Sequence, residues 1–227
     1  FAYGKTSMDY YLLADMTVQI GYELAVAGAE TYRVEETMRR VIEAYGTEGQ
    51  VFAIPNCVAV SFVTPNTKPL TIMKRVGYHG NDLERIEKLN ALSRRICAEV
   101  PEPEEAQRWL KETTAAVRRY AVWTYYLGNF MAAAGLCCVF GGTVRDWLWA
   151  GLSGLIIGFV TRCMDRLEVN PFFSTIAASF LMALPAYVAA GLGWLDCVAA
   201  VIIGALMLLV PGLLITNSMR DIIYGDT

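Results

Sequence analysis

Two regimes of hydrophobic patterning divide the chain. From Asp9 to about Ala116 apolar positions recur at helix or strand spacing among charges, and from Tyr120 onward they run together in stretches free of charge. In Asp9–Ala27, Leu12, Met16, Ile20 and Leu24 follow helical spacing, and Gly28 suits the end of that helix. A second helix is expected over Thr31–Tyr45, with Glu35/Arg39 and Glu36/Arg40 as i,i+4 pairs on its outer face and Gly46 as its stop. Val51–Ile54 and Val58–Val63 are short, β-branched and aromatic, and bounded by Pro55-Asn56 and Pro65-Asn66, so they read as strands. Leu70–Val76 is the third strand. These strands are apolar enough that flanking helices should cover the sheet. Asn81-Asp82-Leu83-Glu84 is a helix start for a segment reaching about Ala98. Pro101 and Pro103 then break the chain, and the acidic start Glu102–Glu105 opens a last helix through Ala116, expected to run straight into the first apolar stretch.

The charge-free stretches are Tyr120–Val144, Trp147–Thr161, Val169–Leu195 and Cys197–Met219, of 25, 15, 27 and 23 residues. A helix needs roughly 20 apolar residues to cross a hydrocarbon core about 30 Å thick. Three stretches reach that length. The second is short, but Trp147 and Trp149 suit an interface and Arg145 and Arg162 can snorkel, so it too is read as a span. Four membrane helices follow, at approximately 120–142, 146–162, 170–190 and 193–215. The expected fold is an α+β domain, 1–118 (helix pair, small three-stranded sheet, helix pair), followed by an all-α multi-pass membrane domain, 119–227, truncated before a further span.

Composition sharpens the division. The 227 residues are 55% hydrophobic and 18% charged with net charge −3, which excludes a basic nucleic-acid binder and a disordered chain. Of the charges, 31 lie at or before Arg119 and ten beyond it. Lys111, Arg118 and Arg119 precede the first span, Arg162 and Arg166 lie between the second and third, and Arg220 follows the fourth; the opposite side has only Arg145. The positive-inside rule puts the N-terminal domain and the C-terminus in the cytoplasm. The six cysteines have no CxxC or metal-ligand spacing and read as reduced, small apolar residues; no metal and no cofactor is expected.

The chain offers little for catalysis. It has no GxxxxGK[ST] phosphate loop, and His79, the only histidine, has no placed nucleophile with which to form a triad. Gly154-Leu-Ile-Ile-Gly158 is a GxxxG element suited to close helix packing. Polar groups in the apolar half carry more information, because lipid does not solvate them. Ser174, Thr175 and Ser179 follow Asn170-Pro171, and Asn129 sits in the first span; these serve either hydrogen bonding between helices or the lining of a path. Asp196 is either a surface residue or a proton carrier. Pro185 and Pro211 free backbone carbonyls in the third and fourth spans. The most distinctive segment, Pro211–Asp226, combines Pro211-Gly212, Thr216-Asn217-Ser218 and Arg220-Asp221 at the end of a span, its polar cluster starting before the apolar stretch has ended.

Gly28-Ala-Glu-Thr-Tyr-Arg-Val-Glu-Glu36 and the Pro211–Asp226 segment resemble the two signature stretches of the threonine/serine exporter family, of the ThrE/YjjP type. The order of parts agrees from about residue 14 to the end. The resemblance implies secondary export of small polar metabolites driven by the proton gradient, with threonine and serine carried in one branch and short dicarboxylates such as succinate in another. It also implies the split form of the family, in which a separate small membrane protein is the companion, and an oligomer in a bacterial cytoplasmic (inner) membrane. Carried over by motif, the substrate residues are Asn217, Asp221, Arg220, Pro211, Gly212 and Thr216, with Ser174, Thr175 and Ser179 along the path. Glu30, Arg33 and Glu36 are the N-terminal candidates, which the residues alone explain equally as a charge-paired helix start. The reading is therefore a transport subunit and not an enzyme. Its rivals are a membrane-anchored regulatory or assembly module that senses a metabolite, and a membrane-associated hydrolase.

Overall fold

The computed structural model describes residues 9–64, 69–77, 80–117 and 120–224, without the side chains of Asp221 and Tyr224. The expected Pro65-Asn66 turn, His79 and the Asp221 side chain lie outside the described residues. The chain divides into two compact units, Phe1–Arg118 with Leu213–Thr227, and Arg119–Gly212. It is mostly helical, with one small three-stranded antiparallel sheet.

In the first unit, α1 (Tyr10–Val26) is capped by Asp9, whose carboxylate accepts the N–H groups of Tyr11 and Leu12. This helix is buried on nearly every side: Leu13, Met16, Ile20 and Leu24 are fully enclosed, with Thr17 donating back to the Leu13 carbonyl at 2.8 Å. Helix α2 (Thr31–Ala44), strands β1 (Gly49–Ile54), β2 (Cys57–Val63) and β3 (Pro69–Arg75), and helices α3 (Leu83–Glu99) and α4 (Pro103–Ala115) complete the N-terminal part. The core joins α1 to Met38 and Ile42 of α2, Val58 and Val60 of β2, Leu89 and Ile96 of α3, and Leu110 of α4. A helix surrounded in this way has no polar side to show water, which is why its apolar positions outnumber a single stripe.

The strands form a meander, with Val51 opposite Val60 and Val60 opposite Ile72. Alternation sends Val58, Val60 and Phe62 into the core, while Phe52 and Met73 stay exposed on the other face, so helices cover one face of the sheet and not both. The outward amide of Ala53 on the β1 edge is satisfied by the Glu35 carboxylate at 2.8 Å. Glu35 is thereby diverted from the Arg39 pairing expected of it; Glu36 takes both Arg39 and Arg40, at 3.4 and 2.7 Å. Buried Glu23 of α1 accepts from Gln19 and pairs with Arg85 of α3, so its charge is not left alone in the core.

In the second unit, three helices are long and apolar enough to cross a membrane: α5 (Val122–Val139), α6 (Val144–Arg166) and α7 (Pro171–Gly191). Of α5 only Ala133 and Cys137 are buried, and Phe172, Phe173, Phe180 and Tyr187 of α7 are exposed, an apolar surface that lipid would cover. The short second stretch becomes a 23-residue helix because its flanking charges are helical too, reaching about 34 Å. Gly151, Gly154 and Gly158 of α6 form its close contact with α5; a Cβ on Gly154 would stand 2.5 Å from the Asn129 carbonyl oxygen.

Two expectations fail here. Helix α4 ends at Ala115 and α5 starts at Val122, so these are two helices and not the expected one. The fourth expected span, 193–215, is not one helix: α8 (Val198–Leu206) has nine residues and rises only about 13 Å. It gives way to tight turns at Leu208 and Leu209, and α9 (Gly212–Tyr224) begins after Pro211. Proline lacks an N–H and drives the residue before it out of helical geometry. From Leu213 the chain packs with the first unit.

Asp146, on the first turn of α6, is fully buried. Its carboxylate accepts from Thr143 N (2.9 Å), Thr143 Oγ1 (3.0 Å), Asp196 N (3.0 Å) and Cys197 N (3.2 Å), which ties the α5–α6 turn to the α7–α8 loop. Asp146→Ala leaves three amides without an acceptor and should lower stability by about 2–4 kcal/mol, read as an earlier melting transition in detergent; Thr143→Val should have a smaller effect. In the first unit, Tyr45 donates to the Pro101 carbonyl at 2.6 Å, and burial pushes its phenol up to about 12. The neutral phenol is the form the fold holds. Its contribution should be complete below pH 10 and fall away between pH 10 and 12, where the unfolded chain ionises first. A Tyr45→Phe variant should lose that slope in pH-dependent unfolding.

Candidate functional site

The site grows from the end of α1. Gly28 N donates to the Ala25 carbonyl (3.1 Å) and Ala29 N to that of Leu24 (3.0 Å), the paired bonds of a Schellman cap, with Gly28 at φ 86°. This turn sets the direction of α2. It also receives the segment leading to α3, through Gly80 N to Val26 O (2.7 Å) and Asp82 N to Ala27 O (3.0 Å). A Cβ at position 28 would lie 2.2 Å from the Gly80 oxygen, so both the backbone angle and the space require glycine.

The C-terminal motif meets the N-terminal one at this turn. Asn217 Nδ2 donates to the Gly28 carbonyl at 3.3 Å, and Arg220 pairs with Glu30. Asn217 and Arg220 are three apart on α9 and so share a face. Glu30 stands at the N-cap of α2 but makes no capping hydrogen bond, its carboxylate being taken by Arg220. Leu214, Asn217 and Ser218 border a cavity of about 130 Å³ together with Gly28, Glu30 and Ala53.

A larger cleft, about 770 Å³, opens beside it. One wall is the α2 stripe of Arg33, Glu36, Thr37 and Arg40; the facing wall is the α3 stripe of Asn90, Ser93, Arg94 and Cys97; Arg220 of α9 also lines it. Both stripes follow i, i+3, i+4, i+7 spacing. Ser93 is buried and donates to the Asn90 carbonyl at 2.9 Å. Burial pushes the Cys97 thiol above its ordinary range, and nearby Arg40 offsets this only in part, so the group is a neutral thiol at pH 7.

The structure thus brings together Glu30, Asn217 and Arg220, and puts Arg33 and Glu36 on the adjoining cleft. Gly212 opens α9 directly after Pro211, and Thr216 lies on its exposed surface. The α3 wall was missed from sequence. Its signal was a polar stripe, Asn90, Ser93, Arg94 and Cys97, alongside the buried Leu89, Leu92 and Ile96, which reads as an ordinary solvated face until α2 is set against it.

Ser174, Thr175 and Ser179 belong to α7 in the second unit. Ser174 is buried, while Thr175 and Ser179 donate to the Pro171 and Thr175 carbonyls four residues back, at 2.9 and 2.8 Å. These two hydroxyls are satisfied within their own helix. Pro185 lies inside α7 without ending it. A mostly apolar groove of about 490 Å³ in this unit runs past Thr124, Tyr125, Gly128, Asn129 and Leu208. Thr161 Oγ1 donates to Ile157 O at 2.8 Å and so receives the Tyr125 hydroxyl at 3.2 Å. Asp196, exposed, has a carboxylate oxygen 2.7 Å from Thr143 Oγ1 and so shares that hydroxyl's single proton with Asp146.

Because α1, α2, α3 and α9 all meet at the Gly28 turn, Gly28→Ala should be among the most damaging single-methyl changes in the first unit. A stability loss of roughly 1–3 kcal/mol is expected, measured by chemical unfolding, with Ala29→Gly as a milder control.

Residues 15–227 match the family described as "Putative threonine/serine exporter". The chain is 26% identical over 216 residues to a Mycobacterium tuberculosis protein named "Probable threonine/serine exporter", a match covering 93% of this chain and 40% of that protein. It is 25% identical over 201 residues to pheromone-regulated membrane protein 10 of Pichia sorbitophila, covering 85% of this chain and 20% of that one. With the protein of the same name in Saccharomyces cerevisiae the identity is 26% over 203 residues, covering 85% and 25%. The chain therefore spans well under half the length of these relatives. No solved structure gives a significant match. With a family match over nearly its whole length and both signature stretches meeting at one turn, the chain belongs to the threonine/serine exporter family.

Proposed function

We propose that this chain is a module of a secondary exporter of small polar metabolites, and that the first unit handles the solute on the cytoplasmic side of a bacterial inner membrane. The observation that carries the reading is the meeting of two motifs 189 residues apart, through Asn217 with Gly28 and Arg220 with Glu30. Two segments so distant in sequence converge on one turn, with carboxylate, amide and guanidinium groups side by side. That set suits a solute bearing both an ammonium and a carboxylate. The solutes are threonine and serine, or short dicarboxylates such as succinate. The name of the Mycobacterium tuberculosis relative supports the first pair.

In this reading Glu30 meets the ammonium group or a proton, while Asn217, Arg220 and Asp221 meet the polar end of the solute. The three apolar helices and the apolar α8 segment packed among them, which returns the chain to the first unit, supply the membrane part, with Ser174, Thr175 and Ser179 along the path. The placement of Lys and Arg supports a cytoplasmic first unit. A small companion membrane subunit, an oligomer and coupling to the proton gradient complete the proposal. Export rather than catalysis is the role, and the site needs no cofactor.

Proteoliposomes carrying the chain with its companion should release labelled threonine, serine or succinate faster than protein-free vesicles, and faster still with the outside acidified. Asn217→Ala should reduce efflux at least about tenfold, the loss of one charge-assisted or buried hydrogen bond in a binding step, while the assembly stays intact on size exclusion. Efflux equal to that of protein-free vesicles would defeat the proposal. Loss of assembly with a residual leak would point instead to an anchoring or sensing module.

A further inference from the structure

The α2–α3 cleft carries an excess of positive charge, of which the proposal above uses only Arg220. Arg33, Arg40, Arg94 and Arg220 line it, against two carboxylates, Glu30 and Glu36. Both carboxylates are already engaged, Glu36 by Arg39 and Arg40 and Glu30 by Arg220. Among the described residues neither Arg33 nor Arg94 has an ion pair. Two guanidinium groups on facing helix stripes thus share one cleft with no counter-ion. An anion entering the cleft would meet two guanidinium groups that no carboxylate of the described residues pairs.

The chemistry of the missing anion can be narrowed. A guanidinium is a planar fork of donors matched to the oxygens of phosphate or carboxylate. A phosphoryl group carries close to two negative charges at pH 7 with three acceptor oxygens on one atom, enough for two forks at once. One carboxylate carries half that charge. The space, about 770 Å³, is within the range of metabolite pockets and far exceeds a bare phosphate. The rest of the lining, Tyr32, Thr37, Asn90, Ser93, Cys97 and Ala98, is uncharged and leaves room for an organic body.

We propose that the α2–α3 cleft is a binding site for a small, soluble phosphate monoester, its phosphoryl group held by Arg33 and Arg94 and its body lying against Tyr32, Cys97 and Ala98. Arg220, which lines the same cleft and anchors α9 to Glu30, gives such a ligand a direct effect on how firmly the C-terminal motif is docked. The site is regulatory in this sense: it adjoins the solute contacts at Gly28 through Glu30 and Arg220, but its phosphoryl ligands, Arg33 and Arg94, are not among them. It does not rest on the export reading: binding is measured on the chain alone and export in vesicles, so either can fail without the other.

The test is calorimetric titration of the detergent-solubilised full chain with glucose 6-phosphate and with inorganic phosphate, in parallel with succinate and threonine. Saturable binding of glucose 6-phosphate is expected, displaced by inorganic phosphate and weakened by salt. R33Q with R94Q should weaken it at least tenfold while the unliganded melting temperature stays the same, since both side chains are exposed and neither has an ion pair among the described residues. R33K with R94K keeps the charge without the fork and should fall between the two. Absence of saturable binding by either phosphate probe would overturn the proposal. So would binding that the double variant leaves unchanged, succinate binding as tightly as glucose 6-phosphate, or a response confined to phosphatidate in nanodiscs, which would make the ligand a lipid headgroup.

Discussion

The cap on α1 is the constraint on which the first unit rests. A helix buried on nearly every side can leave the core only where its last carbonyls find donors, and the Gly28 turn supplies them within the chain itself. The same turn fixes the start of α2, and the close approach of the Gly80 backbone fixes the start of α3. Once those two helices are aimed, their polar stripes face each other and the cleft between them exists. The Gly28 carbonyl, left outside the capping bonds, is then free to receive Asn217. A single left-handed residue therefore precedes, in physical order, both the cleft and the contact between motifs.

The second unit is organised on a different basis. Its helices have few polar groups, and their packing rests on small residues: the glycine row of α6 lets α5 approach until backbone and side chain touch. At one end the buried Asp146 carboxylate replaces that apolar fit with four hydrogen bonds spanning two loops. A charge buried there is tolerated because three backbone amides, and a hydroxyl shared with Asp196, are aimed at it.

Much of this was legible from residue order. The helix at Asp9, the cap at Gly28, all three strands and the start near Asp82 follow from spacing and turn chemistry, and they emerge within a residue or two. The failures have a common cause. The sequence beyond Ala115 is compatible with a longer helix, and nothing local says that α4 ends there. The stretch from Cys197 to Met219 is apolar enough to span, and hydropathy cannot see that Pro211 divides it between two units. Glu35 and Arg39 are well spaced for each other, but an unsatisfied amide on Ala53 competes for the same carboxylate and wins. The α3 wall of the cleft was hidden for the same reason: a polar stripe gains meaning only from the element opposite it. Asp146, flanked by Arg145 and two tryptophans, gave no sign that it would be buried.

The position of Glu35 has one more effect. Strands at the rim of a sheet are open invitations to a stray strand from elsewhere, since their outward amides and carbonyls are a ready template. By occupying the Ala53 amide with an anion that offers no donor in return, the α2 carboxylate shuts the β1 rim at that point. The opposite rim, β3, carries Lys74 and Arg75 near its end, where charge discourages such pairing in a different way. Three strands are therefore guarded on both flanks by separate means, and a sheet too small to be stable alone stays at three.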